Sequence, residues 1–216
     1  MEKKFELTDK FVFNTFGIKL FQIKCTKSFK YAKEGDLGGY VEKDENLDQE
    51  SDAWVSGNAW VYGNAQVSGN AWVYGNARVS GNARVSGDAW VYGNARVYGN
   101  ARVSGNAWVS GDAQVSGDAR VSGDAWVYGN ARVSGNADIE NDNNHCGFDC
   151  FGSCNRHTHA YLTKDNKVEI TCGCFRGSIE EFEKKVEGTH SGTIYEKQYK
   201  AIINVIKIKF GLTDLI

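Results

Sequence analysis

The chain has 216 residues, a formal net charge of −2, 25 Gly, six Cys and no Pro. Near-neutral charge excludes bulk attraction to nucleic acid or a membrane surface, no apolar run could span a bilayer, and the lack of Pro excludes Pro-rich linkers. This length suits one elongated domain with capping elements. The first residues, Met-Glu-Lys-Lys-Phe-Glu-Leu-Thr, form no signal-type apolar run. The expectation is therefore a cytoplasmic protein whose Cys are thiols or metal ligands rather than disulfides.

Residues 1–52 read as an N-terminal β cap. Phe11 to Phe29 gives two short strands around Asn14-Thr15-Phe16-Gly17, with Ile18, Leu20, Phe21 and Ile23 as apolar weight. The run Gly35-Asp36-Leu37-Gly38-Gly39-Tyr40-Val41 follows. Val41, Leu47 and Ala53 stand six apart, which predicts an irregular first coil leading into the segment beyond.

From Ala53 to Asp142 the chain is fifteen six-residue units of the form Ala-x-Val-Ser/Tyr-Gly-Asn/Asp, without insertion. Ala and Val at positions one and three point to one side of an extended segment, and positions two and four to the other. Gly followed by Asn or Asp tolerates a left-handed backbone and makes a corner. A strand and a corner every six residues predict a parallel β-helix, and three corners close a coil of 18 residues. The sequence tests that closure itself. Position two of every third unit reads Trp54, Trp72, Trp90, Trp108 and Trp126, with Tyr74, Tyr92 and Tyr128 two residues on. The second face carries Trp60, Arg78, Arg96, Gln114 and Arg132, and the third Gln66, Arg84, Arg102, Arg120 and Asp138. Like residues recur at 18 because they stack.

On these units the chain resembles the hexapeptide-repeat, left-handed β-helix proteins. The resemblance implies a single-stranded left-handed parallel β-helix of about five coils, mainly β overall. It says little about function, because that scaffold hosts acyltransferases, γ-type carbonic anhydrases and non-catalytic proteins. The Gly-Asp-Leu-Gly-Gly run before the repeats and the tail motif around Cys172-Gly173-Cys174-Phe175 also resemble phage- and prophage-encoded repeat proteins, most without an assigned activity. That resemblance implies a bacterial host and a small α+β tail.

Residues 143–216 read as that tail, in the order strand, strand, helix, helix. Residues 141–156, rich in Asn, Asp, Gly and Cys, are expected to be an irregular exit. His157–Thr163 and Lys167–Cys174 alternate as a hairpin around Asp165-Asn166. Ser178 and Glu181 fit a capping box, starting a helix with Ile179, Phe182 and Val186 on one face and Gly188 at its end. A second helix is expected from about Ile194 to Phe210, striped by Tyr195, Tyr199, Ile202, Ile203 and Ile206.

Four constellations could carry chemistry. A two-residue turn at Asp165-Asn166 sets His159 opposite Cys172 and His157 opposite Cys174, a zinc-type ligand set. Their spacing is no recognised zinc pattern, and no metal or cofactor is expected. Acyl transfer and γ-type carbonic anhydrase chemistry are disfavoured, because both need His on the coils and the repeats contain none. The Trp and Tyr strip is too large to stay open on a soluble monomer. Cover by the chain's own C-terminal helices or by a second subunit is expected. The Arg columns, Arg84, Arg102 and Arg120 beside a Ser ladder and Arg78 and Arg96 on the next face, form cationic faces suited to phosphates or an acidic partner. The reading reached is a non-catalytic binding or assembly protein of phage or prophage type. It works as a homo-oligomer whose specific form is a counter-defence (anti-defence) protein engaging a host immune protein or an anionic nucleotide signal. Membrane is excluded as a partner and nucleic acid disfavoured. The alternatives are an enzyme with a Cys/His site in the tail and a structural filament.

Overall fold

The computed structural model describes residues 3–212. Each six-residue unit forms a two-residue strand and a corner, from β4 (Trp54–Val55) to β18 (Asp138–Ile139), and β1 (Phe5–Phe13), β2 (Lys19–Cys25) and β3 (Leu37–Val41) lie before them. The corner Gly adopt φ between +57° and +73°, a region closed to most side chains. Close approach restricts them again: a Cβ on Gly105 would stand 2.8 Å from the backbone N of Gly123 in the next coil. The repeat Ala and Val side chains fill the interior and are at most 2% exposed. Two small residues per strand match a narrow prism.

The 18-residue closure is observed in register. Trp54, Trp72, Trp90, Trp108 and Trp126 pair in parallel down one sheet. Arg84, Arg102 and Arg120 do so on another, and Arg78 and Arg96 on the third. Between coils most units make three backbone bonds, for example Trp54 N to Ala71 O (3.0 Å), Ser56 N to Val73 O (2.9 Å) and Asn58 N to Gly75 O (2.8 Å). The corners add side-chain ladders: Asn64 Nδ2 donates to Asn82 Oδ1, Asn82 to Asn100 and Asn100 to Asp118, at 3.2, 3.0 and 2.9 Å.

The solenoid has about six turns, one more than the repeats alone. β3 (Leu37–Val41) runs parallel to β5 (Trp60–Val61), with Tyr40 beside Trp60 and Val41 beside Val61, and Leu47 bridges to Val67. Residues 37–47 thus form the irregular first coil expected. Gly38 and Gly39 are required there, because Cβ atoms on them would stand 2.7 Å from Val55 O and Ala59 O. The hairpin of β1 (Phe5–Phe13) and β2 (Lys19–Cys25) turns at Asn14–Gly17 and extends the same sheet. It begins at Phe5, earlier than the alternation suggests.

Every inter-coil N–H points toward the C-terminus, so the two ends differ chemically. The first coils present carbonyls, and the N-terminal segment supplies donors. Lys4, 6% exposed, donates to Asp48 O, Ser51 O and Ala53 O at 2.6, 2.6 and 2.7 Å. Asn46 Nδ2 donates to Gly63 O and Ala65 O. The far end presents N–H groups, and there Asp142 Oδ1 accepts from Trp126 N at 2.9 Å.

The C-terminal segment is a four-stranded antiparallel sheet, β19 (His145–Phe151), β20 (Arg156–Leu162), β21 (Val168–Cys172) and β22 (Phe175–Gly177), followed by α1 (Ile179–His190) and α2 (Ile194–Lys209). The sequence pattern predicts only two of these strands. β19 lies in the expected irregular exit, where polar composition masks a strand set by pairing with β20. One sheet face closes the last coil: Tyr161 joins the solenoid core, and Thr171 Oγ1 donates to Arg132 O at 3.0 Å. The other face, with Ala160, Ile170 and Cys172, packs on the helical stripe of Phe182, Val186, Ile202 and Ile206. The Ser178/Glu181 capping box is present. α1 runs through Gly188, and Gly192 at φ +73° follows its end instead. No helix among the described residues is long and apolar enough to cross a membrane.

Candidate functional site

The third face carries the Arg ladder. Arg84, Arg102 and Arg120 occupy consecutive rungs, all exposed. Among the described residues, none has a carboxylate within 4.0 Å. The neighbouring corner acids do other work, since Asp88, Asp118 and Asp124 accept from Asn70, Asn100 and Asn106 in the corner ladders. Unit charges held at the strand spacing repel by about 0.9 kcal/mol per adjacent pair in water. On the second face Arg78 is partly taken up, its guanidinium 4.4 Å from the Trp60 ring centroid, while Arg96 is exposed.

The aromatic strip is graded. Phe29 packs edge-on against Trp54 at 5.3 Å, and Tyr31 stacks on Trp72 at 5.1 Å. Trp90 and Trp108 stack at 5.1 Å, and Tyr74 and Tyr92 at 4.9 Å. Exposure rises from 2% at Trp54 to 37% at Trp108, 43% at Trp126 and 56% at Tyr128. The cover therefore comes from the N-terminal segment and reaches only the first rungs. The C-terminal helices do not supply it, because they lie on the far face of the C-terminal sheet.

The zinc-type quartet is not assembled. β20 and β21 pair Thr158 with Cys172 and His159 with Thr171, one residue away from the register a two-residue turn would give. The loop is a residue longer, closed by Thr163 N to Lys167 O (2.9 Å), with Asn166 at φ +56°. A one-residue shift flips side chains between faces. Cys172 goes to the helical side, where Thr158 Oγ1 donates to its Sγ at 3.3 Å, and Cys174 lies beyond the strand, exposed. Among the described residues no three His, Cys, Asp or Glu side chains are grouped to hold a metal ion.

His157, His159 and Tyr161 instead share the face against the last coil, joined by His145 of β19. His145 Nδ1 lies 3.0 Å from His159 Nε2, and His145 Nε2 lies 3.4 Å from Asp142 Oδ1. The neutral arrangement that satisfies both contacts has His159 Nε2–H donating to His145 and His145 Nε2–H donating to Asp142. His157 Nδ1 is 2.7 Å from Asp149 Oδ1. Burial, then the neighbouring His145 and His157 rings, holds His159 down to about 3. Burial also lowers His145, opposed by Asp142, and pushes the Cys146 thiol up to about 11. Sequence reasoning misses His145 and Asp142 because it gives β19 no strand. The i, i+2, i+4 spacing of His157, His159 and Tyr161 is the available signal.

Six overlapping or adjoining stretches, residues 53–69, 65–78, 77–93, 95–111, 113–129 and 125–138, match the model of the YdcK beta solenoid repeat family. No curated protein matches the chain. In its coils this chain is thus similar to the YdcK beta solenoid repeats, and the fold it builds is a β-solenoid.

Proposed function

We infer that this protein is a non-catalytic binding protein that engages an anionic partner or ligand along the Arg84, Arg102 and Arg120 ladder. One observation carries the reading: three guanidiniums stand in register on consecutive rungs with no carboxylate in ion-pair reach among the described residues. Arg presents planar, bidentate donors that fit phosphate or carboxylate oxygens. The half-open end of the aromatic strip at Trp108, Trp126 and Tyr128 supports self-association as a homo-oligomer, since Trp and Tyr are favoured at such interfaces. The resemblance of the Gly-Asp-Leu-Gly-Gly run and the tail to phage-encoded repeat proteins supports a phage or prophage setting in a bacterial cytoplasm. The specific form is a counter-defence protein that holds a host immune protein or an anionic nucleotide signal.

Native mass spectrometry of protein from its own cells tests this reading. A homo-oligomer that retains an added anionic mass or an acidic protein is expected. The Arg84→Gln, Arg102→Gln, Arg120→Gln variant should lose that addition and keep its oligomeric state. Retention by the triple variant would remove the ladder from the function.

A further inference from the structure

The second Arg column ends in a concavity. Gln114 pairs with Arg132 on the last coil, and Arg132 lines a cleft of about 530 Å³ at the seam with the C-terminal sheet, together with Asn130, Asn155, Arg156 and Gly173. The lining contains no Asp or Glu. His157 also lines the cleft, and the Asp149 carboxylate lies behind it, held by His157 Nδ1 at 2.7 Å.

Two guanidiniums converge there on one turn. Arg132 Nη1 donates to Gly173 O at 2.9 Å, which fixes that side chain and leaves its other N–H groups available. Arg156 lies over the same residue, because a Cβ on Gly173 would stand 2.5 Å from Arg156 Nη1. Gly173 is itself at φ +61°, so its conformation calls for Gly, and a side chain there would push the Arg156 guanidinium aside. Among the described residues neither Arg132 nor Arg156 has a carboxylate within 4.0 Å. Two like charges drawn to one point without a counter-charge are unfavourable until an anion bridges them. The amides of Asn130 and Asn155 add neutral hydrogen-bonding groups on the same walls. Unlike the flat ladder, this is an open concave cleft whose volume suits a small molecule.

We propose that the seam cleft binds a small phosphate-bearing molecule, clamped between Arg132 and Arg156. This site is separate from the Arg84, Arg102 and Arg120 ladder and does not depend on the reading of that face. The anionic group accepts from both guanidiniums, and the rest of the molecule lies in the cleft beside Asn130 and Asn155.

The test is a titration of the full chain with inorganic phosphate and with AMP at constant ionic strength, followed through the arginine side-chain ¹H–¹⁵N signals. Arg132 and Arg156 should shift together and saturate at one site per chain. Arg132→Gln and Arg156→Gln should each weaken binding about tenfold, as expected when one charge-assisted bond is lost. Arg156 is exposed, so its replacement leaves the fold intact. Gly173→Ala should weaken binding by displacing Arg156 while removing no charge. The Arg84→Gln, Arg102→Gln, Arg120→Gln variant should bind AMP at the seam as the unmodified protein does, whatever becomes of the ladder. Undiminished binding in both single Arg variants, shifts confined to ladder arginines, or the same shifts from chloride alone would overturn the proposal.

Discussion

At the residue scale, the corner glycines and the buried histidines respond to change for different reasons. Gly105→Ala imposes a side chain at φ +65° and a Cβ 2.8 Å from the next coil's backbone. Gly192→Ala meets the same unfavourable φ, +73°, with nothing within 4 Å. The second change should cost about 1 kcal/mol, and the first about 3 kcal/mol, because close approach adds to conformational strain. Chemical denaturation of the two variants would show it, and equal losses would mean that φ alone decides. The histidines set a pH dependence. The unfolded chain titrates His near 6.5, whereas folding holds His159 down to about 3 and lowers His145. Between those values the unfolded state binds more protons, so this stability is complete above about pH 6.5 and is lost as pH falls toward the folded value. By pH 5 a group held at about 3 has lost about 2 kcal/mol of that stability. Protection factors in β20, taken relative to the intrinsic exchange rate at each pH, should therefore fall between pH 7 and 5 while those of the coils, which hold no His from Ala53 to Asp142, stay constant. His159→Gln should flatten that dependence. Unchanged β20 protection at pH 5 in the unmodified protein would show that the histidines do not hold the sheet to the last coil.

At the scale of elements, the caps match the polarity of the end each one closes. Lys4 gives three donors to carbonyls of the first coils. Lys4→Met keeps the aliphatic stem but leaves those carbonyls unmet, at a cost of about 3 kcal/mol. A midpoint unchanged in urea would show that solvent satisfies them instead. The coils are legible in the amino-acid sequence by itself, because period, inward Ala and Val and corner Gly all follow from local chemistry repeated fifteen times. α1 and α2 are legible too, from the Ser178 cap and the stripe ending at Ile206. The C-terminal sheet is only half legible. Its second and third strands alternate, but their faces hang on one extra loop residue around Asn166, and no pattern in the strands reveals that. β19 is hidden because Gly147, Asp149 and Cys150 have no strand preference, and pairing with β20 decides its conformation. The Arg ladder can be read from the 18-residue recurrence, whereas the seam cleft needs Arg132 and Arg156 brought together from different elements.

For the whole molecule, the solenoid behaves as a stack in which each coil contacts its neighbours. Deleting residues 77–94, one complete coil, should leave a folded protein with the Trp and Arg columns one rung shorter. Deleting six residues should instead rotate one cap by a third of a turn against the other and break every column at the junction. Circular dichroism melts would compare the two, and equal destabilisation would mean that column register contributes little. The faces act at this scale as well: the ladder exists because three units 18 residues apart are locked in register. Its affinity for a polyanion should fall steeply with salt, as expected for exposed charges. The measurement that bears most directly on this protein as an anion-binding solenoid is calorimetric titration with inorganic tripolyphosphate, from low to physiological salt. Arg132→Gln, Arg156→Gln should serve as the background, to silence the seam. The expected result is saturable, salt-sensitive binding that falls at least tenfold in the added Arg84→Gln, Arg102→Gln, Arg120→Gln substitutions. Equal binding with and without the ladder arginines, or no binding at low salt, would contradict it.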